Sequence, residues 1–519
     1  MGRVCVLIFL ILVNCCGLAF ALSGSVGRDG SNALAVQELG YTGSGIHIGQ
    51  VTLNNIFVEH PAFEDSNGVL HAINHDVTGR GFSYNYHDTP FAGIIISNGD
   101  ASHPNDVGVA PGAFVHCARV VYESDIEDVL DELILNQDCK IIMTGFQLSY
   151  ASNGQSQQVK MYDYYADNYD VIFVNAAGNN DSEISVFGDA YNGITTGALE
   201  TAEPNVYTRV GNITNPGPTN DGRAKPEVMA PSTDQVAPSY TGGWWAIPND
   251  GATSWAVPHT AGVAALLLDY VANTPGTEEV ASHTEVIKSV IVNSTFPNID
   301  DKSGDSTNPA DSNNAWHSER GYGRIDALRA LQTLQGGRVN TSSLITSDAG
   351  WGYGSIGRYQ THSYQFQGRK NDRFVFTVTW NRGITKSGSS YFEQTPKMNI
   401  DVSIRNSSGV VTFEDESLNN LEKFDIVLPA DDIYTVELAN QTSNKGRNYG
   451  FAFELLRPIV GDFNVDYIVD LQDISLFMNC WLEPALPEID IGDDGAINFL
   501  DFSESALNWL VFDAKYYSP

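Results

Sequence analysis

Between residues 36 and 336 the chain alternates short apolar runs with helix-length segments, and this alternation restricts the fold more than any other feature. The runs GIHIGQV, FVHCARVV, CKIIMTGF and VIFVNAAGN are apolar with little interruption. Strands of that kind must be covered on both faces, so a parallel sheet flanked by helices, an α/β architecture, is expected over residues 22–336. A segment rich in Gly, Ser, Thr and Asn follows, and the period then changes to two. Phe374, Phe376, Val378 and Trp380 alternate with polar residues, as do Ile400, Val402 and Ile404. Half-buried antiparallel strands with Asn, Gly and Ser turns predict a β-sandwich over 351–457.

The ends of the chain read differently. Arg3 precedes an apolar run that closes on Ala19-Phe20-Ala21, which predicts a secretory signal peptide over 1–21, cleaved after Ala21, and a secreted or cell-surface protein. No other stretch is apolar for long enough to span a bilayer. At the far end, Asp462, Asp473, Trp481 and Leu482 recur in the same order and spacing as Asp490, Asp501, Trp509 and Leu510. Asp462, Asn464, Asp466, Asp470 and Asp473 stand at positions 1, 3, 5, 9 and 12 of a calcium loop, with the Ile468 carbonyl at position 7. Asp490, Asp494, Asn498 and Asp501 with the Ala496 carbonyl form a sparser second loop, Gly492 replacing a ligand. A small α-helical calcium-loop module over 459–511 is therefore expected. The net charge of -35 excludes nucleic acid as a ready partner and favours cations. Of the cysteines beyond residue 21, Cys117 and Cys139 read as buried thiols and Cys480 stands apart, so no disulfide framework is expected.

A serine nucleophile needs a base, a group to orient that base, and donors for the developing oxyanion. GATSWAVPHTAGVAALLLDY puts Ser254 at the start of a small-residue helix, HDTPFAGIIIS carries His87, and VIFVNAAGNN puts Asn179 just after a strand. In this order, and with VGVAPGAFVHCARV between them, the blocks resemble those of subtilisin-like serine proteases, the subtilases. Ala252, Val257, Asp88 and Pro90 depart from the family pattern. The resemblance implies a subtilisin-like fold acting on a peptide or protein substrate, with Ser254 as nucleophile, His87 as general base and Asn179 as oxyanion donor. His259 takes the family's helix-packing place and no catalytic role.

The orienting carboxylate is missing from its usual place. Thr52 stands there, or Leu53 if the count runs back from His60-Pro61. Either another acid, Glu59 or Asp88 being nearest in sequence, holds His87, or the domain is a catalytically weak or inactive binding and assembly module. A hydroxyl at Thr52 facing His87 would make Thr52→Asp faster than the native chain. Phe146, where the family usually has Gly, is expected to narrow the substrate cleft. The last segment resembles a dockerin, which implies calcium and a cohesin-like protein partner. The 351–457 region resembles jelly-roll-like modules that follow secreted proteases.

Overall fold

The computed structural model describes residues 22–457 except 149, 278, 307–314, 342–343, 416–418 and 444–445, together with 461, 473, 477 and 478. The first sheet contains β1 (His47–Thr52), β2 (Ala72–His75), β3 (Phe114–Arg119), β4 (Ile141–Thr144), β5 (Ile172–Ala176), β6 (Ile194–Glu203), β7 (Val206–Val210) and β8 (Val228–Pro231). Its order is β2-β3-β1-β4-β5-β6-β7, with β8 beside β6. All pairings are parallel except β6 with β7. A hairpin of β9 (Val236–Pro238) and β10 (Trp244–Ala246) lies outside it.

Helices α1 (Leu22–Val26), α2 (Ala33–Glu38), α3 (Asp88–Ile96), α4 (Ile126–Asp131), α5 (Gln157–Tyr169), α6 (Thr253–Asn273), α7 (Thr284–Asn293) and α8 (Ala327–Gln335) cover this sheet. The apolar runs are continuous because each strand feeds two cores. Ile48 of β1 packs with Phe91 of α3 and Ala256 and Val263 of α6, whereas Val51 of the same strand packs with Leu130 of α4 and Tyr162 of α5. No helix among the described residues is long and apolar enough to cross a membrane.

The second unit is a pair of antiparallel sheets. One holds β11 (Leu344–Ile345), β13 (Thr361–Gly368), β17 (Ile400–Arg405), β18 (Val411–Asp415) and β20 (Asp432–Asn440). The other holds β12 (Ala349–Ile356), β14 (Arg373–Trp380), β19 (Leu421–Val427) and β21 (Arg447–Leu456), and β15 (Ile384–Ser387) pairs with β16 (Ser390–Glu393) as a hairpin. Between the sheets lie Phe374, Phe376, Trp380, Val436 and Phe451. Strands β11 and β12 begin in the Gly-, Ser-, Thr- and Asn-rich segment, where a two-residue strand such as β11 leaves no periodicity to detect.

The expectation that β14 is half-buried needs correction. Its polar positions are covered too, because that face lies on α7: Thr377 Oγ1 donates to Asn293 Oδ1 at 3.0 Å and Thr379 Oγ1 to the Glu285 carbonyl at 2.7 Å. Gly450 of β21 permits the approach, since a Cβ there would stand 2.4 Å from the Glu285 carbonyl carbon.

Candidate active site

Ligands of parallel α/β sheets bind beyond the C-terminal ends of the strands. Thr52 ends β1, Asn179 lies in the loop shortly after β5, and the N-termini of α3 and α6 bring His87 and Ser254 to the same edge. His87 is the residue before α3. Its backbone N–H and that of Asp88 both donate to Asn85 Oδ1, at 3.0 and 3.1 Å, which holds the start of the helix. His87 Nδ1 lies 2.8 Å from Asp88 Oδ1. That bond puts the proton on Nδ1 and leaves Nε2 as the basic nitrogen. Asp88 is 2% exposed, and its Oδ2 is buried without a hydrogen-bond partner. At the first turn of α3 the helix dipole favours its negative charge.

The expected place for the Thr52 hydroxyl is corrected by the structure. Thr52 Oγ1 donates to the Asn54 carbonyl at 2.8 Å and lies 3.5 Å from Cys117 Sγ, so it does not orient His87. Two further candidates are set aside: Leu53 is 53% exposed and Glu59 faces solvent. The carboxylate that stands against His87 is that of Asp88, the next residue in sequence. Burial pushes the Cys117 thiol up to about 12, so this sulfur is no rival nucleophile.

Ser254 lies in the first turn of α6, half-buried. No hydrogen bond joins its Oγ to His87. The two are neighbours through Trp255, whose ring centroid is 5.1 Å from that of His87. Free-enzyme structures commonly show this bond loose until substrate arrives. Asn179 Oδ1 accepts from the Thr253 backbone N–H and from Thr253 Oγ1, both at 2.7 Å. Because a backbone N–H can only donate, the atom facing it is the oxygen, and Nδ2 is left as a donor. The side chain therefore caps α6, a role its place after a strand does not reveal.

Gly145, after β4, is a further site residue. A Cβ there would come within 2.6 Å of Thr52 Cγ2 and 3.5 Å of His87 Cε1. The neighbouring Phe146 does not narrow the cleft as expected. It is half-buried and packs edge-on to Phe187 at 5.6 Å, against the core under α4 and α5. His259 is wholly buried, 3.3 Å from Gln235 Oε1, as its packing role requires. Of the expected calcium ligands only Asp473 is among the described residues, and it is buried. Asp462, Asn464, Asp466, Ile468, Asp470, Asp490, Asp494, Ala496, Asn498 and Asp501 lie outside them.

A sequence profile of the subtilase family matches residues 44–323, more than half of the chain and all of the site just described. The chain belongs to the subtilase family, whose members are serine proteases. This subtilase is 24% identical to pyrolysin of Pyrococcus furiosus over 287 residues, 49% of its own length and 19% of pyrolysin's. It thus spans about a fifth of that relative. Among solved structures, the prenylagaramide maturation protease PagA is 20% identical, with 58% of this chain and 97% of that chain covered at a TM-score of 0.45. Sphericase is 22% identical, with 55% and 92% covered at 0.43.

Proposed function

We propose that this subtilase is an exported serine endopeptidase in which Asp88 replaces the family's orienting carboxylate. The observation that carries the reading is the 2.8 Å contact of His87 Nδ1 with Asp88 Oδ1, which supplies the element missing at Thr52. Ser254 Oγ attacks the scissile carbonyl and passes its proton to His87 Nε2, and Asp88 offsets the imidazolium charge. The oxyanion takes hydrogen bonds from Asn179 Nδ2 and from backbone N–H groups opening α6. His87 then protonates the leaving amine, and water releases the acyl group by the same steps.

The leader over 1–21 directs export, and the duplicated acidic loops over 459–511 bind calcium and dock a cohesin-like partner. Labelling with a fluorophosphonate tests the catalytic reading. The adduct is expected on Ser254 and absent from Ser254→Ala. The separation of Ser254 from His87 favours a second reading, a weakly catalytic or non-catalytic assembly protein. A native chain that is neither labelled nor hydrolytic would select it.

A further inference from the structure

The hairpin of β9 and β10 carries two consecutive tryptophans, and a strand sends consecutive side chains to opposite faces. Trp244 is anchored on one face. Its Nε1 donates to Asp100 Oδ2 at 2.6 Å, its ring stacks on His103 with centroids 4.5 Å apart, and it meets His60 edge-on at 5.5 Å. His60 Nε2 lies 2.9 Å from the Gly243 carbonyl, which ties the hairpin down beside the anchor. Trp245 is thereby sent the other way, to the catalytic edge. It meets Trp255 edge-on with centroids 5.7 Å apart, and Trp255 lies beside His87.

Tyr86 completes the row. Its ring stands edge-on to Trp245 at 5.9 Å, and Asn85 Oδ1, which accepts from the backbone N–H groups of His87 and Asp88, fixes the backbone next to it. The rings pass from core to solvent: Trp255 is 3% exposed, Trp245 half-buried and Tyr86 60% exposed. Tyr84 and Phe82, just before Tyr86 in sequence, are exposed as well. Large apolar groups gathered at the surface mark a place where something binds. Rings meet edge to face because the edge is positive and the face negative, so a further ring added to this row finds the same complement. An aliphatic side chain would gain burial alone.

We propose that Trp245 and Tyr86 form a substrate subsite that selects an uncharged aromatic side chain on a residue flanking the scissile bond. The inference rests on the endopeptidase reading of Ser254 and His87. Its location follows from the row itself, since Trp255 succeeds the nucleophile in sequence and lies beside the base.

Internally quenched peptides that differ only in Phe, Gly or Arg beside the scissile bond test this on the full chain. Phe should raise kcat/KM over Gly by about tenfold or more. Tyr86→Ala and Trp245→Ala should each remove most of that preference while cleaving the Gly peptide within about twofold of the native rate, and Trp245→Phe should restore part of it. Tyr86→Ala remains informative if Trp245→Ala fails to fold, because the Tyr86 ring is largely exposed. Labelling of Ser254 by a small fluorophosphonate should be unchanged in both, which separates the subsite from the chemistry. A native chain that neither cleaves nor labels defeats the endopeptidase reading, and calorimetric titration with the same peptides then decides the subsite. Tighter binding of the Phe peptide, lost in Tyr86→Ala, would uphold it. Equal treatment of Phe and Gly peptides, a Phe preference that survives both alanine variants, or a preference for Arg would overturn it.

Discussion

The catalytic edge and the seam between the two units treat buried charge in opposite ways. At the seam most charged groups have several partners. Arg382 pairs with Asp163 and donates to the Gly154 carbonyl at 2.9 Å. Glu454 accepts from Arg329 at 2.5 Å and from Thr333 at 3.1 Å. Lys423 Nζ meets the Val292 carbonyl at 2.9 Å and Thr295 Oγ1 at 3.0 Å, placing a cation at the end of α7, although burial pulls its pKa down to about 7. At the catalytic edge Asp88 has one bonded oxygen and one bare one. Multiply held charges keep two bodies in register. In the proposed mechanism a singly held carboxylate keeps capacity for the charge that develops on His87.

The sharpest way to break this comparison is Asp88→Asn. Turnover should fall by about 10⁴, with the fold retained, as when a triad carboxylate is neutralised. Thr52→Val should stay within roughly tenfold of the native rate, because the lost hydroxyl serves Asn54. A collapse in Thr52→Val with an active Asp88→Asn would reverse the assignment. Thr52→Asp, expected from the sequence to accelerate hydrolysis, should instead destabilise the chain, since its carboxylate would be buried against the Asn54 carbonyl.

At the seam the largest loss should come from Arg382→Met. It strands the Asp163 carboxylate, which is fully buried, and denaturant titration should show a loss of about 3–5 kcal/mol. A loss under ~1 kcal/mol would mean that the seam charges are not what joins the units.

Asn179, at the catalytic edge, caps α6 and is the proposed oxyanion donor, and two substitutions separate these roles. Asn179→Asp keeps the oxygen that caps α6 and loses the Nδ2 donor, so kcat should fall by about 10²–10³ with stability nearly unchanged. Asn179→Ala should lose the cap as well, lowering stability by about 1 kcal/mol. Equal rates for Asn179→Asp and the native chain would remove Nδ2 from the oxyanion site.

A pH-dependent effect is expected at Glu285, whose hydrogen bonds are to Asn381 and Thr284 at 3.3 Å and which has His283 and Asp170 within 4.8 Å. Burial raises its pKa from 4.5 to about 7. The folded chain therefore holds a proton that the unfolded chain releases, and stability falls as pH rises from about 4.5 to 7. His283, raised by its hydrogen bond to Asp170, acts in the same direction, losing its contribution as pH rises through its folded value. Glu285→Gln should flatten the stability profile by about 1–2 kcal/mol between pH 5 and 8. A slope unchanged by the substitution would assign it to other groups.

The α/β core, the two-residue period after residue 350, and the places of His87, Ser254 and Asn179 were legible in the chain because each rests on local pattern. Continuous apolar runs announce strands covered on both faces, and short motifs place residues at strand ends and helix starts. Pattern could not tell that the polar side of β14 is buried against α7. A period of two records which side is apolar, and says nothing of a neighbour that meets the other side with hydrogen bonds.

Sequence alone determined that the usual carboxylate is absent at Thr52, and it left two readings: Glu59 or Asp88 holds His87, or the domain is catalytically weak or inactive. Only the tertiary structure shows which of these two carboxylates stands against His87. It turned the Thr52 hydroxyl toward the Asn54 carbonyl, left Glu59 in solvent, and set Asp88 in the first turn of α3 against His87 Nδ1. A side chain's direction is decided by the packing and hydrogen bonds of elements distant in sequence. Here the distant one is Gln50, bonded to the Asp88 carbonyl at 2.9 Å, while Asn85, two residues before His87, holds the start of the helix. Neither belongs to the motif that carries His87.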